Sequence, residues 1–179
     1  MTFELQRWSE DHWHDFATLH RDADVMADLG GPFDDTTNRE KFDRYRQAWD
    51  RTGISRWAVV DRGREQFLGY AGVMLHRDPD HPLGSHYEVG WRFRRDVWGQ
   101  GLATASAREA LERAWTVLDV PEIVSYTAAD NVRSQNVMRR LGLKRDMKSD
   151  FTARYPRGEF SGLTWIAQRP NAGGAMAPP

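Results

Sequence analysis

The chain has 179 residues, of which 40% are hydrophobic and 28% charged, and its formal net charge is −1. This length and composition are those of one soluble globular domain with its own core. A net charge near zero gives no electrostatic basis for a nucleic-acid-binding surface. The sequence has no cysteine, which excludes disulfides, a cysteine nucleophile and thiolate metal sites.

Two further absences bear on the compartment. No apolar run approaches the roughly 20 residues that a membrane span needs, and the segment Met1 to Trp8 lacks the apolar centre of a signal peptide. We therefore expect a cytoplasmic protein without a membrane partner.

Hydrophobic periodicity and turn residues predict eleven elements. In chain order they are a strand over 3–8, a helix over 10–20, a helix from Thr36 or Thr37 to Trp49, strands over 54–60, 67–75 and 87–93, a helix over 103–118, a strand over 122–127, a helix over 131–141 and strands over 143–152 and 160–168. Ser9 and a threonine at 36 or 37 are the expected N-caps of the first two helices, and Gly53 is the expected end of the second.

The order of these elements predicts a mixed α/β or α+β domain over residues 1–169. Short polar connections between the three consecutive strands imply that these strands are antiparallel neighbours. Residues 22–35 are predicted to form a loop or broken helix. The Gly/Ala/Pro-rich residues 170–179 are predicted to be a disordered tail.

The segment from Trp91 to Thr104 predicts a strand end, a tight glycine turn and the first turn of a helix. Backbone N–H groups at a helix start, together with the positive end of the helix dipole, suit a pyrophosphate. Gly99 and Gly101 allow backbone conformations that other residues disfavour. A tight turn that binds no ligand is an equally good explanation of this pattern alone.

Two other classes of phosphate-binding loop also begin with a glycine turn of this kind. A Walker loop is excluded because no Gly-Lys-Ser/Thr follows. A dinucleotide-binding oxidoreductase stays an alternative because Asp130 follows the next strand. Against it, Thr104 stands at the third glycine position, and three antiparallel strands precede the turn.

A second motif, Asn131-Val132-Arg133-Ser134, follows the strand over 122–127 and precedes Leu141-Gly142-Leu143. Together with the run from Trp98 to Thr104 (WGQGLAT), this order resembles the GNAT superfamily of acyl-CoA-dependent N-acetyltransferases. Within that superfamily it resembles the RimJ/RimL branch, the ribosomal-protein N-terminal acetyltransferase type. The similarity extends to 25–31, 67–72 and 88–91 and covers nearly the whole chain up to about Arg169.

The resemblance implies a twisted, mixed and mostly antiparallel sheet that is splayed between its fourth and fifth strands and flanked by helices. It implies acetyl-CoA as cosubstrate, without a metal, and acetyl transfer to a primary amine of a protein N-terminus or small molecule. The glycine turn would hold the pyrophosphate, and the fourth strand would pair with the pantetheine arm. The implied cofactor-binding residues are Trp91, Phe93, Trp98, Gly99, Gln100, Gly101, Leu102, Ala103, Thr104, Asn131, Ser134, Asn136 and Arg140.

Acetyl transfer from a thioester requires a deprotonated amine, a donor to the developing oxyanion and a stabilised thiolate leaving group. Glu88 is the candidate general base, because the family often has an acidic residue on the fourth strand. The alternative is a strand glutamate held in hydrogen bonds. Strand parity puts Glu88 on the face opposite Tyr87 and Trp91, unless a bulge intervenes.

Ser134 is the candidate for orienting or protonating the CoA sulfur, since Met138 occupies the position where many family members have a tyrosine acid. Asp96 departs from the family's preference for Gln or Arg at the start of the phosphate loop. A carboxylate so close to phosphate must point away from it if the loop binds an anion.

Other polar residues receive weaker functional interpretations. The spacing of His12, His14 and His20 does not make a metal site. The histidines at 76, 81 and 86 flank the loop between the third and fourth strands and are expected at the surface, with entry of one of them into the acceptor pocket as the alternative. Four loop acids on the expected acceptor side would attract a cationic amine or remain solvated: Asp22, Asp24, Asp34 and Asp35.

Two questions stay open at the level of the sequence. The high aromatic content, 12% of all residues, is consistent with a homodimer. A non-catalytic acyl-CoA-binding or sensing module with the same fold is the second functional alternative.

Overall fold

The computed structural model describes residues 2–155 and 158–170. Its helices are α1 (Trp13–Arg21), α2 (Ala23–Met26), α3 (Asp35–Thr52), α4 (Leu102–Val117) and α5 (Val132–Arg140). Its strands are β1 (Phe3–Gln6), β2 (Arg56–Asp61), β3 (Gln66–His76), β4 (His86–Phe93), β5 (Glu122–Thr127), β6 (Lys144–Arg145), β7 (Phe151–Tyr155) and β8 (Gly158–Gln168). Four 3-10 turns complete the pattern, at Glu10–His12, Ala27–Leu29, Arg95–Val97 and Met147–Ser149.

The strands form one mixed sheet in the order β1-β2-β3-β4-β5-β8-β6, and β7 pairs with β8. The pairs are antiparallel except β4 with β5, which is parallel. The register between β4 and β5 joins Glu88 to Val124 alone, so the rest of β4 up to Phe93 diverges from β5. This confirms the predicted mixed sheet that splays between its fourth and fifth strands.

Helices cover both faces of the sheet and create two hydrophobic cores. On one face, α4 and α5 pack over a core that includes Val89 and Phe93 of β4. On the other face, α1 to α3 enclose an aromatic core around Phe16 and Phe42. The register of β3 with β4 is continuous from Gly69–Phe93 to His76–His86, with no bulge. Alternation along β4 therefore turns Glu88 away from the α4 core, as predicted.

Two local predictions were wrong. Asp34, rather than Thr36 or Thr37, caps α3, because its carboxylate accepts a hydrogen bond from Thr37 N at 2.7 Å and carries a charge that suits a helix N-terminus. The predicted strand over 143–152 is interrupted by a 3-10 turn. Asp146 Oδ1 accepts from Lys148 N at 3.1 Å, and such local bonds compete with a strand ladder.

The remaining boundaries lie close to the predicted ones. Gly53 ends α3 in a left-handed conformation with φ 70°, and β5 has the predicted bounds. The predicted loop over 22–35 contains α2 and one of the 3-10 turns. Residues 171–179, in the predicted disordered tail, lie outside the described residues.

His20 is a fully buried histidine that joins α1 to β3. Its Nδ1 lies 3.0 Å from the carbonyl oxygen of Phe16 and must donate, so its Nε2 accepts from the Tyr70 hydroxyl at 3.2 Å. Burial, reinforced by the positive charges of Lys41 and Arg92, lowers the pKa of His20 to about 2. The unfolded chain binds a proton near pH 6.5 that the native state does not bind. Stability from His20 is therefore lost as the pH falls below about 6.5.

We expect this histidine to cost roughly 2 kcal/mol of unfolding free energy between pH 6.5 and pH 5. Urea unfolding followed by tryptophan fluorescence should show a shallower loss of stability over this range in His20→Gln than in the unchanged chain. His14→Gln, at an exposed site on the same helix, is the control and should keep the original slope. Equal slopes in all three proteins would contradict the assignment.

Candidate active site

A cavity of about 840 Å³ lies beside the point where β4 and β5 diverge. Its walls come from β3 and β4, from β5, from α3 and the loop before it, and from α5 and β8. Predicted site residues in these walls are Trp91, Glu88 and Ser134. The structure therefore brings together both predicted catalytic residues and two predicted cofactor contacts, Trp91 and Ser134, of which Ser134 has both roles.

The glycine turn next to this cleft leaves backbone donors free at the start of α4. Gly99 and Gly101 have φ 75° and 78°, and nothing lies within 4 Å of a Cβ placed on either. The first backbone bond of the helix runs from Ala105 N to Gly101 O, at 3.0 Å. Across the described ranges, the N–H groups of 101–104 donate to no acceptor. The Thr104 hydroxyl is buried and also lacks a partner there. These donors fit a pyrophosphate.

Charges around the turn also suit an anion. The Asp96 carboxylate is held by Arg94, with 2.7 Å between Nη2 and Oδ2, so it is neutralised. The Arg133 guanidinium lies 3.9 Å from the centroid of the Trp98 ring, directly before Gly99. Arg133 was not among the predicted contacts, although it lies inside the Asn131–Ser134 motif.

The predicted contacts on β4 and the turn differ in what they can offer. Phe93 and Leu102 have buried side chains, so only their backbones can reach a ligand. The carbonyl of Phe93 already accepts from Trp98 Nε1, at 2.9 Å. The Gln100 amide donates to the carbonyl of Asp96, at 3.2 Å. Trp91 lines the cavity itself.

On α5, the motif residues separate into two groups. Asn131 caps the helix, since its Oδ1 accepts from Ser134 N at 3.1 Å, and its Nδ2 donates to Asp28 at 3.3 Å. Asn136 accepts from Arg139 at 2.7 Å on an exposed face. Arg140 is exposed as well. Neither Asn136 nor Arg140 is among the residues that line the cleft.

Glu88 is nearly buried, with 12% of its side chain exposed, and lies between two side-chain nitrogens. Its Oε2 accepts a hydrogen bond from Arg56 Nη2 at 2.7 Å. His76 Nε2 lies 2.7 Å from the same oxygen, but in an orientation that makes no hydrogen bond. Burial raises the pKa of Glu88, but Arg56 and then His76 outweigh this effect and lower the pKa to about 2. Glu88 is thus ionised at neutral pH and is by itself a weak proton acceptor.

The histidines at 76, 81 and 86 lie close to Glu88 and are not in the predicted surface-loop environment. His76 ends β3 and lines the cavity, and its ring stacks on that of His86, with centroids 5.2 Å apart. His81 is buried with 7% exposure, and its ring packs on Phe151 at 4.8 Å. Aromatic side chains of β5 and β7, Tyr126 and Phe151, pack on His81. Because these contacts join residues that are far apart in the sequence, local patterns do not predict them.

The acidic loop residues that were considered as attractors of a cationic amine are engaged elsewhere. Asp22 and Asp34 cap α2 and α3. Asp35 pairs with Arg21 at 2.5 Å, and Asp24 pairs with Arg95. Their charges therefore serve helix starts and surface ion pairs.

A splayed sheet with a glycine turn opening onto it defines the GNAT class of fold, and comparison with known proteins agrees. Residues 2–144 match the family described as "Acetyltransferase (GNAT) domain". The chain belongs to this family. Its mostly antiparallel sheet contradicts the dinucleotide-binding alternative.

Three individual relatives have sequence identities of 14–26% to this chain. The uncharacterised protein YkkB of Bacillus subtilis is 26% identical over 128 residues, which cover 72% of this chain and 73% of YkkB. A GNAT-family acetyltransferase from Bacillus anthracis superposes with a TM-score of 0.75 at 18% identity, covering 94% of this chain and 96% of that one. A spermidine N-acetyltransferase from Vibrio cholerae, in complex with CoA and spermine, gives 0.69 at 14% identity, covering 93% and 95%.

Within residues 2–155 and 158–170, no helix is long and apolar enough to cross a membrane. Nor does any group of three or more histidine or acidic side chains there have an arrangement that could hold a metal ion.

Proposed function

We propose that the protein is an acetyl-CoA-dependent N-acetyltransferase that acetylates a primary amine by direct attack in a ternary complex. The observation that carries this proposal is the divergence of β4 from β5 beside the free N–H groups of α4. Family membership supports the same reaction class. The RimJ/RimL branch rests on the sequence motifs alone, and the acceptor is a protein N-terminus or a small molecule.

The cofactor would be held along this divergence. The N–H groups of 101–104 and the Arg133 guanidinium suit the pyrophosphate. The β4 edge around Trp91 has free backbone groups for the amides of the pantetheine arm. When bound, acetyl-CoA would supply the acetyl group as an activated thioester.

We infer that Glu88 acts together with His76 as the proton acceptor. The ionised Glu88 carboxylate lies 2.7 Å from His76 Nε2, where it would stabilise the positive charge that the imidazole gains on accepting a proton. His76 is 31% exposed on the cavity wall and can take the amine proton directly or through water. This arrangement resolves the low basicity of Glu88, which here positions and stabilises the imidazole.

Ser134 is the proposed partner of the departing sulfur. It lies on the first turn of α5, where Asn131 fixes its backbone, and its side chain faces the cavity. Met138, one turn further on, is buried and has no proton to give. A serine hydroxyl can donate a hydrogen bond to a thiolate.

The first test is thermal stability with acetyl-CoA, CoA and NAD. A ligand at 100 times its Kd adds about 2.7 kcal/mol to native stability, which raises the Tm of a domain of this size by roughly 5–10 °C. We expect this increase with acetyl-CoA and CoA but not with NAD, and its loss in Gly101→Asp.

Gly142→Asp is a matched control for that variant. Gly142 has the same φ of 78° as Gly101, and nothing lies within 4 Å of a Cβ at either position. Both variants add a negative charge and force an aspartate into a left-handed backbone conformation. Only Gly101→Asp does so at the glycine turn before α4. No Tm increase with saturating acetyl-CoA in the unchanged chain would refute the proposal.

One observation favours a non-catalytic acyl-CoA-binding module as the second candidate. The ion pair between Glu88 and Arg56 is well formed and nearly buried, as expected of a purely structural interaction. The two candidates make the same prediction for acetyl-CoA binding and differ in whether Glu88 and His76 affect acetyl transfer.

A further inference from the structure

The inner wall of the cavity carries an unbalanced positive charge. Among residues 2–155 and 158–170, four cationic side chains line the cavity, and they are Lys41, Arg44, Arg56 and Arg92. Five carboxylates also line it, and they are Asp28, Asp34, Glu40, Glu88 and Glu159. These charges are not evenly distributed between the buried wall and the exposed rim.

Two of the cations are neutralised by carboxylates on the wall. Arg56 pairs with Glu88 at 2.7 Å. Arg92 pairs with Asp28 at 2.8 Å and also donates to the carbonyl of Val25. Each pair joins a cation to a carboxylate of the wall, so neither leaves a net charge there.

The remaining carboxylates belong to the rim or to the helix start. Glu40 and Glu159 are exposed to solvent, where charge is screened. Asp34 caps α3 through Thr37 N at 2.7 Å. These three side chains therefore do little to offset a cation on the inner wall.

Of the two remaining cations, Arg44 is exposed to solvent and Lys41 belongs to the inner wall. It projects from α3 into the cavity and is partly buried, with Nζ 5.2 Å from the centroid of Phe33 and 5.9 Å from that of Tyr45. No carboxylate of residues 2–155 or 158–170 lies within 4 Å of Lys41 Nζ, which is the distance limit for an ion pair. A cation near aromatic rings and repelled by the charges of Arg92, Arg44 and Arg56 is stabilised by an anion that enters the cavity.

The positive charge of this wall shifts the pKa values of Tyr45 and Lys41. Burial raises the pKa of Tyr45, but Lys41, Arg56 and Arg44 outweigh it and leave the pKa below its ordinary value. Burial lowers the pKa of Lys41 itself. Tyr45 raises that pKa, and Arg92, Arg44 and Arg56 lower it further. The charges that act on Lys41 from α3, β2 and β4 are thus mostly positive.

We propose that Lys41 forms a subsite for an anionic group on the acceptor, so that the acetylated amine belongs to a molecule with a carboxylate or a phosphate. This inference rests on the proposed function, since it assumes that an amine is acetylated in this cavity. Lys41 and the Glu88–His76 pair line the same cavity, so a single small molecule can place its anion at one and its amine at the other. A polyamine would instead bring further positive charge to this wall.

The test compares acceptors that differ only in the anion. Acetyl transfer is followed as thiol release from acetyl-CoA, and the chain contributes no thiol because it has no cysteine. The acceptors are phenylalanine, methionine and glutamine, each beside its amide and its decarboxylated amine, together with phosphoethanolamine beside ethanolamine, and spermine. In at least one of these sets we expect kcat/KM to be at least tenfold higher for the anionic acceptor than for its uncharged partners. A preference for an amino acid identifies the anion as a carboxylate, and a preference for phosphoethanolamine identifies it as a phosphate.

Variants at position 41 connect that preference to the lysine. Lys41→Met should abolish the preference by raising KM for the anionic acceptor at least tenfold, with little change for its uncharged partner. Lys41→Arg keeps the charge and should keep the preference. Lys148→Met removes an exposed lysine outside the cavity and should leave every value unchanged.

The possible failures are distinguishable. Equal or better kcat/KM for amides or spermine would overturn the anionic subsite but leave acetyl transfer intact. A preference for anions that survives Lys41→Met would also overturn it. Acetyl-CoA binding without thiol release from any acceptor would overturn the proposed function and this inference together.

Discussion

Glu88→Gln is expected to lower kcat/KM for amine acetylation by about 10²- to 10⁴-fold while acetyl-CoA still raises the Tm. The amide is nearly the size of the carboxylate but carries no charge, so it cannot stabilise a protonated His76 across the 2.7 Å contact. The measurement is steady-state thiol release with the best acceptor from the matched sets.

His76→Gln provides a second, independent variant for the same prediction. It removes the imidazole and leaves the ion pair of Arg56 with Glu88 in place, so its loss of activity cannot come from an unpaired buried charge. We expect a similar loss of kcat/KM, and partial recovery of His76→Gly with added imidazole. His14→Gln, an exposed histidine far along the chain, is the control.

The result that would contradict this assignment is specific. If both variants kept full kcat/KM, the Glu88–His76 pair would be structural, and the amine would lose its proton elsewhere. If neither variant nor the unchanged chain released thiol from any acceptor, the non-catalytic module would be favoured.

Local sequence signals were sufficient for the parts of the site that depend on neighbouring residues. The glycine turn before α4 and the Asn131 cap of α5 are each built from short segments whose chemistry fixes their conformation. The face of β4 that carries Glu88 followed from simple alternation, because the β3–β4 register has no bulge.

The partners of Glu88 could not be predicted in the same way. Arg56 lies on β2, 32 residues before Glu88, and reaches it across β3. The register places Arg56 opposite Gly72 and Gly72 opposite Gly90. A Cβ on Gly90 would lie 2.6 Å from Arg56 Nη1, so this glycine leaves the space that the guanidinium occupies. Only the assembled three strands reveal why small residues stand there.

The positive wall was missed for a related reason. The sequence has acids at 22, 24, 34 and 35 on the acceptor side, and counting them suggested a negative entrance. The structure uses those acids for helix caps and for ion pairs with arginines. Lys41, which is one of many charged residues of α3 in the sequence, is instead left facing the cavity.

Arg56→Met is expected to lower the free energy of unfolding by about 3–5 kcal/mol, because removing one member of a buried ion pair leaves the other charge uncompensated. Only 6% of the Arg56 side chain is exposed. The variant also deprives the carbonyl of Gly72 of its donor at 2.7 Å. Urea unfolding followed by tryptophan fluorescence measures this loss. Arg62→Met, at an exposed arginine 3.7 Å from Glu4, should change stability by less than about 0.5 kcal/mol.

The double variant Arg56→Met/Glu88→Gln decides whether the cost comes from the unpaired carboxylate. If it does, the double variant is more stable than the sum of the two single losses predicts, by at least about 1 kcal/mol. Additive losses would instead assign the cost to packing and to Gly72. In the unchanged chain the guanidinium keeps Glu88 ionised despite its burial. The interaction that stabilises the three central strands therefore also maintains the negative charge on which the proposed proton acceptor depends.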